Sequence, residues 1–132
     1  MKIYLCDNAI TNIDNLILWN KPNLQKLYFQ FNQIKDISIL SKVKFDKLQI
    51  LYLNNNLISN IQVLEKLNFT ELRELWLYNN NIEDITALKK FKIGKIEVLS
   101  LFGNKIDKNK FADTLKQMQE SIKDFQLKEV FY

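Results

Sequence analysis

The chain has 132 residues, which is enough for one domain, and 47% of them are hydrophobic, so a sizeable core can form. It contains no histidine and a single cysteine, Cys6, so it lacks the usual general base and metal ligand and cannot form an internal disulfide. The net charge of +4 is small, and no apolar run approaches the ~18 residues of a membrane-spanning helix. We therefore expect no catalytic site, no cofactor, no metal and no membrane segment.

A 24-residue repeat occupies most of the chain. The segment LQKLYFQFNQI begins at Leu24, and equivalent segments begin at Leu48, Leu72 and Ile96. A shorter copy, IYLCDNAI, begins at Ile3 in the same frame. An asparagine closes every copy: Asn8, Asn32, Asn56, Asn80 and Asn104. The alternating leucines before each asparagine predict a short strand with one aliphatic, buried face.

A second polar position predicts a short helical segment after each of the first four strands. It lies four residues after the closing asparagine and is always Asn or Asp: Asn12, Asp36, Asn60 and Asp84. Such a residue before an apolar run with spacing i, i+3, i+6, as in ITALKKF from Ile85, predicts an N-cap and a short helix or 3₁₀ turn. Asn and Asp thus replace glycine, of which the chain has only two, in making turns.

The last part of the chain departs from the repeat. Apolar residues at 4-3-4-3 spacing predict a longer helix over residues 108–126: Phe111, Leu115, Met118, Ile122 and Phe125. A terminal strand is predicted over residues 127–132, where Leu127, Val130 and Tyr132 match the repeat pattern. We interpret residues 1–132 as one domain of five repeats followed by this helix and this strand.

The pattern L-x-x-L-x-L-x-x-N-x-I over residues 2–106 resembles the leucine-rich-repeat superfamily. Its continuation I-x-x-I-x-x-L, as in Ile34, Ile37 and Leu40, is similar to the protein phosphatase-1 leucine-rich regulatory subunit and the outer-arm dynein leucine-rich light chain; bacterial internalins carry a closely similar repeat. The resemblance implies an α/β fold: a right-handed solenoid with a parallel concave sheet of five to six strands and short helices or 3₁₀ turns on the convex side. It also implies a non-enzymatic interaction scaffold or regulatory subunit.

In a stacked solenoid the closing asparagines are expected to point inward and form a ladder. Their side chains supply hydrogen bonds to backbone groups where the chain leaves each strand. We expect Asn56→Ala and Asn80→Ala to destabilise the fold. We expect Asn55→Ala and Asn79→Ala to have little effect, because these two residues occupy a variable position of the repeat.

Aromatic residues stand between the inward leucines, so they are expected on the concave face. The candidate partner-binding residues are Tyr4, Tyr28, Tyr52, Trp76, Tyr78, Phe102 and, in the predicted sixth strand, Phe131. Phe31 adds one more ring at a strand end. A solvent-facing aromatic surface with few charges is typical of the core of a protein interface, although neighbouring rings also stabilise a sheet. We favour a site that binds a helix or an extended segment of a protein partner.

Two alternative functions remain, a bacterial internalin-like adhesin or effector and a component of a ribonucleoprotein like the spliceosomal leucine-rich A-prime protein. Direct nucleic-acid binding is not favoured, because only Lys2, Lys26 and Arg73 stand near the rings and most lysines fall on the convex side. The single cysteine fits the cytoplasm, and the intracellular families also suggest a cytoskeletal, ciliary or nuclear location. The open edges of the first and last strands predict association with a partner or within a larger assembly.

Overall fold

The repeat folds into one parallel sheet of six three-residue strands that follow each other in chain order. The computed structural model describes residues 1–128. The strands are β1 (Lys2–Tyr4), β2 (Lys26–Tyr28), β3 (Ile50–Tyr52), β4 (Glu74–Trp76), β5 (Val98–Ser100) and β6 (Asp124–Gln126). Equivalent residues of neighbouring repeats pair in register, as Leu27 does with Leu51 and Leu51 with Leu75. The predicted parallel concave sheet of a leucine-rich-repeat solenoid is therefore confirmed.

The predicted convex segments are 3₁₀ helices, and an Asx side chain precedes each one. They span Asp14–Leu18, Ser38–Ser41, Gln62–Lys66 and Thr86–Lys89. In every case the Asx Oδ1 accepts the backbone N–H two residues on, at 2.7–2.9 Å, which satisfies the first free donor of the helix. The Ser38 N–H lowers the pKa of the Asp36 carboxyl by this contact, and the Thr86 N–H does the same for Asp84.

The core lies between the sheet and the 3₁₀ helices and forms one contiguous cluster. The middle residues of β2 to β5 all point inward and are at most 1% exposed: Leu27, Leu51, Leu75 and Leu99. Isoleucines that follow the strands are also fully buried and belong to the same core: Ile34, Ile58 and Ile82. No single repeat can bury these side chains alone, so stacking of repeats creates the core.

The C-terminal part corrects the predicted boundaries. The helix α1 spans Ala112–Ser121 and is shorter than the predicted 108–126. The chain becomes extended at Ile122, and Phe125 pairs with Leu99 as a strand residue instead of continuing the helical stripe. The sixth strand is therefore Asp124–Gln126, earlier than the predicted 127–132, of which residues 129–132 lie outside the described residues. The three-residue spacing from Ile122 to Phe125 fits both a helix and the strand pattern of the repeat. The open edge of β5 favours the strand, because it offers backbone hydrogen bonds: the N–H of Leu101 donates to Gln126 O at 2.7 Å.

The asparagine ladder supplies hydrogen bonds between successive repeats. The Nδ2 of Asn80 donates to Leu77 O in its own repeat and to Leu53 O in the preceding one, both at 3.0 Å. Its Oδ1 accepts the N–H of Ile58 at 3.0 Å. Asn32, Asn56 and Asn104 make the same set of contacts one repeat apart. Each asparagine thus occupies backbone groups of two repeats at once.

The residue before each ladder asparagine adopts a left-handed backbone conformation. The five φ values lie between 54° and 68°, at Asp7, Phe31, Asn55, Asn79 and Gly103. Because alanine is strained at positive φ, Asn55→Ala and Asn79→Ala are now expected to cost stability through the backbone, in contrast to the expectation from the repeat pattern. Asparagine and glycine suit this position, so a glycine substitution is the appropriate neutral control.

The ladder predicts a position-specific loss of stability. Asn80→Ala removes two contacts to the preceding repeat and one within its own repeat, and it leaves buried backbone groups unsatisfied, so the free energy of unfolding should fall by about 1–3 kcal/mol. Asn79→Gly, one residue away, keeps the left-handed backbone and should change it by less than about 1 kcal/mol. Urea denaturation of the two variants measures the difference. Equal midpoints would show that Asn80 does not carry the contacts assigned to it.

Candidate functional site

The first aromatic row consists of the last residues of β1 to β4: Tyr4, Tyr28, Tyr52 and Trp76. Since side chains alternate along a strand, these residues face away from the core to which Leu27 and Leu51 point. Tyr4 is 61% exposed and the other three are half-buried. The register of the sheet places all four in one line across the strands.

The rings of the first row stack face to face. Their centroids are 4.4 Å apart for Tyr4 and Tyr28, 4.9 Å for Tyr28 and Tyr52, and 5.4 Å for Tyr52 and Trp76. The angles between ring planes are 10°, 18° and 2°. Two rings that lie side by side in one plane cannot bring their centroids this close. The rings therefore stack with their faces towards each other, at the strand spacing of about 4.8 Å. Ring edges and phenol groups are therefore what the row presents to solvent.

A second, shorter row runs beside the first. Tyr78 and Phe102 follow β4 and β5 and stack with centroids 4.5 Å apart and an angle of 11°. Tyr78 meets Trp76 edge to face, with centroids 6.2 Å apart and an angle of 80°. Six rings are thus in continuous contact, and such pairs contribute about 0.5–1.5 kcal/mol each beyond their buried area. We call this set the ring surface: Tyr4, Tyr28, Tyr52, Trp76, Tyr78 and Phe102.

The first row ends where β5 begins. Ser100 and Gln126 occupy the equivalent positions of β5 and β6, in register with Trp76. Gln126 holds this position on β6, and Phe131, which the sequence placed in the sixth strand, lies outside the described residues. The small Ser100 side chain is fully buried between its large neighbours. The ring surface is therefore centred on β2 to β5.

Charged residues of both signs flank the first row. Lys2 and Lys26 stand on β1 and β2, and Glu74 and Asp124 on β4 and β6. The Glu74 Oε2 accepts a hydrogen bond from Trp76 Nε1 at 2.9 Å, which fixes the indole within the row. Asp124 Oδ2 likewise accepts from Gln126 Nε2 at 3.0 Å. These carboxylates orient neighbouring side chains of the concave face.

Burial raises the pKa of three phenols on the ring surface. For Tyr52 and Tyr78 burial is the largest cause, and the Glu74 carboxylate raises the pKa of Tyr52 further. Burial also leads for Tyr28, followed by its neighbour Tyr4. All three phenols are therefore neutral at physiological pH and can both donate and accept hydrogen bonds.

Phe31, the ring at the end of β2, is a further candidate site residue in addition to those predicted from the sequence. It follows β2, is 51% exposed and has a φ of 59°. A bulky side chain in this conformation costs about 1–2 kcal/mol. Aligning the repeats gives the missing signal, because Asp, Asn or Gly stands at the four equivalent positions.

Two amide side chains beside Phe31 are incompletely hydrogen-bonded. Gln30 and Asn54 occupy the second-row positions after β2 and β3. Their Oε1 and Oδ1 atoms are buried and find no donor within residues 1–128. Asn54 is only 1% exposed, although its position is equivalent to that of Tyr78 on the concave face. Large flanking side chains cover a short one even on the outer face of a sheet.

The arrangement has the chemical features of a binding surface. Its rings supply apolar area, its phenols supply hydrogen bonds, and its ring faces are mostly occupied by one another. A nucleobase needs an open ring face for stacking, so the rows favour a protein segment over a nucleic acid.

An apolar cavity of about 260 Å³ lies elsewhere, between the loops at 67–72 and 91–96. Lys92 and Lys95 are its titratable lining residues, and Lys95 Nζ forms a salt bridge with Glu71 Oε1 at 2.8 Å.

The fold and its repeated site define a solenoid repeat protein. The family described as "Leucine Rich repeats (2 copies)" matches residues 22–66 and 46–90, which together cover just over half of the chain. The chain therefore belongs to the leucine-rich repeat family, whose domains are commonly protein-interaction modules. No helix within residues 1–128 is long and apolar enough to cross a membrane.

Several solved structures have a similar fold. Internalin C2 of Listeria monocytogenes is 27% identical, with a TM-score of 0.72, over 96% of this chain and 51% of that chain. A second internalin of the same organism is 23% identical with a TM-score of 0.68, covering 97% and 36%. A leucine-rich repeat protein of Leptospira interrogans is 20% identical with a TM-score of 0.75, covering 95% and 30%. The chain thus spans half or less of these proteins, and none of the curated proteins matches it.

The raised pKa values of the ring surface predict alkaline behaviour. Because the folded-state values exceed 10.0, the stability they contribute is complete below pH 10 and is lost as the pH rises through the raised values. Ultraviolet titration of the folded chain should show tyrosines that ionise above pH 10, and Tyr52→Phe should remove one of these steps. The unfolded chain in urea is the control and should titrate near 10. Ionisation of all tyrosines near pH 10 in the folded chain would contradict the burial of these phenols.

Proposed function

We propose that this chain is a non-enzymatic scaffold that binds a segment of a protein partner on its ring surface. The observation that carries the proposal is the set of six contacting rings on the concave face, from Tyr4 to Phe102. Tyrosine and tryptophan are enriched among the residues that dominate binding energy at protein interfaces. Their two side-chain torsions also make them rigid contacts, which lose little entropy on binding.

A purely structural role accounts less well for the rings. The pairs β4–β5 and β5–β6 form in register with Ser100 and Gln126 in the first-row positions. Pairing of these strands therefore does not require an aromatic residue at this position. The rings instead lie on or directly after neighbouring strands, β1 to β5, where they form one continuous and partly exposed surface. This arrangement supports a binding function.

The partner is a helix or an extended segment of limited length. Six strands at a spacing of about 4.8 Å span about 24 Å, which corresponds to a helix of about 16 residues. An apolar side chain of the partner packs against the ring edges of Tyr52, Trp76 and Tyr78. The phenols form hydrogen bonds with polar groups of the partner. The flanking charged residues form ion pairs with oppositely charged groups at the rim of the interface.

The finer identity rests on resemblance. The 24-residue repeat supports a regulatory subunit of the phosphatase-1 or dynein light-chain type, acting in the cytoplasm, on the cytoskeleton or cilium, or in the nucleus. The similarity to internalin C2 favours the alternative, a bacterial internalin-like adhesin or effector that would use the same surface. A component of a ribonucleoprotein, held through a protein partner, and association through the edges of the sheet remain further predictions.

Peptide selection tests the proposal directly. A displayed library of random peptides of about 16 residues, long enough as helices to cross the sheet, is selected on the immobilised chain. Binding of a selected peptide is then titrated against variants. Trp76→Ala and Tyr78→Ala should each weaken binding about 30-fold, because removal of a central anchor costs about 2 kcal/mol.

Convex lysines provide the matched controls. Lys66→Ala and Lys90→Ala remove exposed charges on the opposite side of the solenoid and should leave the affinity unchanged. Thermal melts of all four variants report folding. The two lysine variants should melt like the wild type. Trp76→Ala and Tyr78→Ala each lose two ring pairs and should lose about 1–3 kcal/mol while remaining folded. Peptides that lose affinity with the lysine variants and bind the ring variants normally would refute the ring surface as the binding site.

A further inference from the structure

We infer that Phe31, together with the amides of Gln30 and Asn54, forms a second contact area of the binding face that takes an apolar side chain and an adjacent N–H donor of the partner. The inference rests on the proposed function and adds a specific subsite to it. The area lies at the ends of β2 and β3, beside the ring surface. Three independent features of these residues support it.

The first feature is backbone strain at Phe31. Its φ of 59° is one of five left-handed values that recur before the ladder asparagines. The other four positions hold Asp7, Asn55, Asn79 and Gly103, which tolerate that conformation. Phenylalanine is the residue type that the repeat geometry least favours here. Strained conformations of this kind concentrate at ligand-binding sites.

The second feature is that the Phe31 ring is only half buried. Phe31 is 51% exposed, whereas Phe29, two residues earlier, is 2% exposed in the core. The backbone N–H of Phe31 bonds Asn54 O at 3.2 Å, a contact that any residue other than proline can make. Neither the turn nor the core therefore requires the ring. Its remaining role is to offer apolar area at the surface.

The third feature is the pair of unsatisfied acceptors. Asn54 is 1% exposed, and its Nδ2 donates to Asn55 Oδ1 at 3.2 Å while its own Oδ1 lacks a donor within residues 1–128. Gln30 Oε1 is in the same state on the neighbouring repeat. Buried acceptors without donors are destabilising, so rotation of these side chains towards an incoming N–H group is favourable. Backbone amides and the side chains of Asn, Gln and Lys supply such donors.

The geometry links this area to the ring surface. Gln30 and Asn54 occupy the same row across the sheet as Tyr78 and Phe102, on earlier repeats. A segment that crosses the strands from β4 towards β2 therefore passes from Tyr78 to Phe31. The partner segment that this area would recognise is anchored on Trp76 and carries, at its end, an apolar residue next to a hydrogen-bond donor.

Substitution at Phe31 separates binding from folding. The probe is the random-library peptide of about 16 residues that is selected on the wild-type chain. Phe31→Asn introduces the residue that repeats three and four carry at this position, so its melting temperature should be no lower than that of the wild type. Its affinity for the peptide should fall about 10-fold, which is 1.4 kcal/mol. Phe31→Ala should lose the same affinity and melt below Phe31→Asn, because alanine keeps the strain.

Asn79→Gly, which changes the equivalent position two repeats on, should bind the peptide normally. Trp76→Ala separates the two hypotheses. Loss of affinity in Trp76→Ala without any loss in Phe31→Asn would overturn this inference and leave the ring surface as the site. Normal binding by Trp76→Ala would instead overturn the proposed function. A melting temperature of Phe31→Asn several degrees below the wild type would show that the ring stabilises the fold, and that too would overturn the inference.

Discussion

The need to satisfy backbone groups where the chain leaves each strand governs this molecule. The strands are three residues long in a 24-residue repeat, so most of each turn of the solenoid has no sheet ladder to bond to. A side-chain amide fills that role because it has donors and an acceptor in one compact group. Asn56 and Asn80 each bond backbone atoms of two repeats, which fixes the distance and the register between them. Everything built on the concave face depends on that register.

The ring surface is a direct consequence of the register. When equivalent residues of adjacent repeats pair, identical side chains fall into lines at the strand spacing. Aromatic rings at that spacing stack face to face, as Tyr28 and Tyr52 do at 4.9 Å. Stacking leaves ring edges and phenols outward, so the same contact that stabilises the sheet also decides what a partner meets.

Phe31 shows where stability and recognition diverge in this repeat. The left-handed turn before each ladder asparagine favours Asn, Asp or Gly, and four repeats comply. Phe31 departs from that rule, and its ring is half exposed, whereas the ring of Phe29 lies in the core. Departures of a single repeat from its own consensus therefore point to function more sharply than the consensus does.

The sequence alone determined the repeat, the parallel sheet, the short convex segments and the inward asparagines of the second to fifth repeats, because a fixed 24-residue period leaves one register that buries the middle leucines of β2 to β5. It also placed the rings of Tyr28, Tyr52 and Trp76 on the concave face. Tertiary structure decided the end of α1 and the position of β6, since the spacing around Phe125 fits helix and strand alike and only pairing with β5 selects between them. Tertiary structure also decided that Asn54 is covered and that Phe31 is strained, because both depend on neighbours one repeat away and on the hand of the turn.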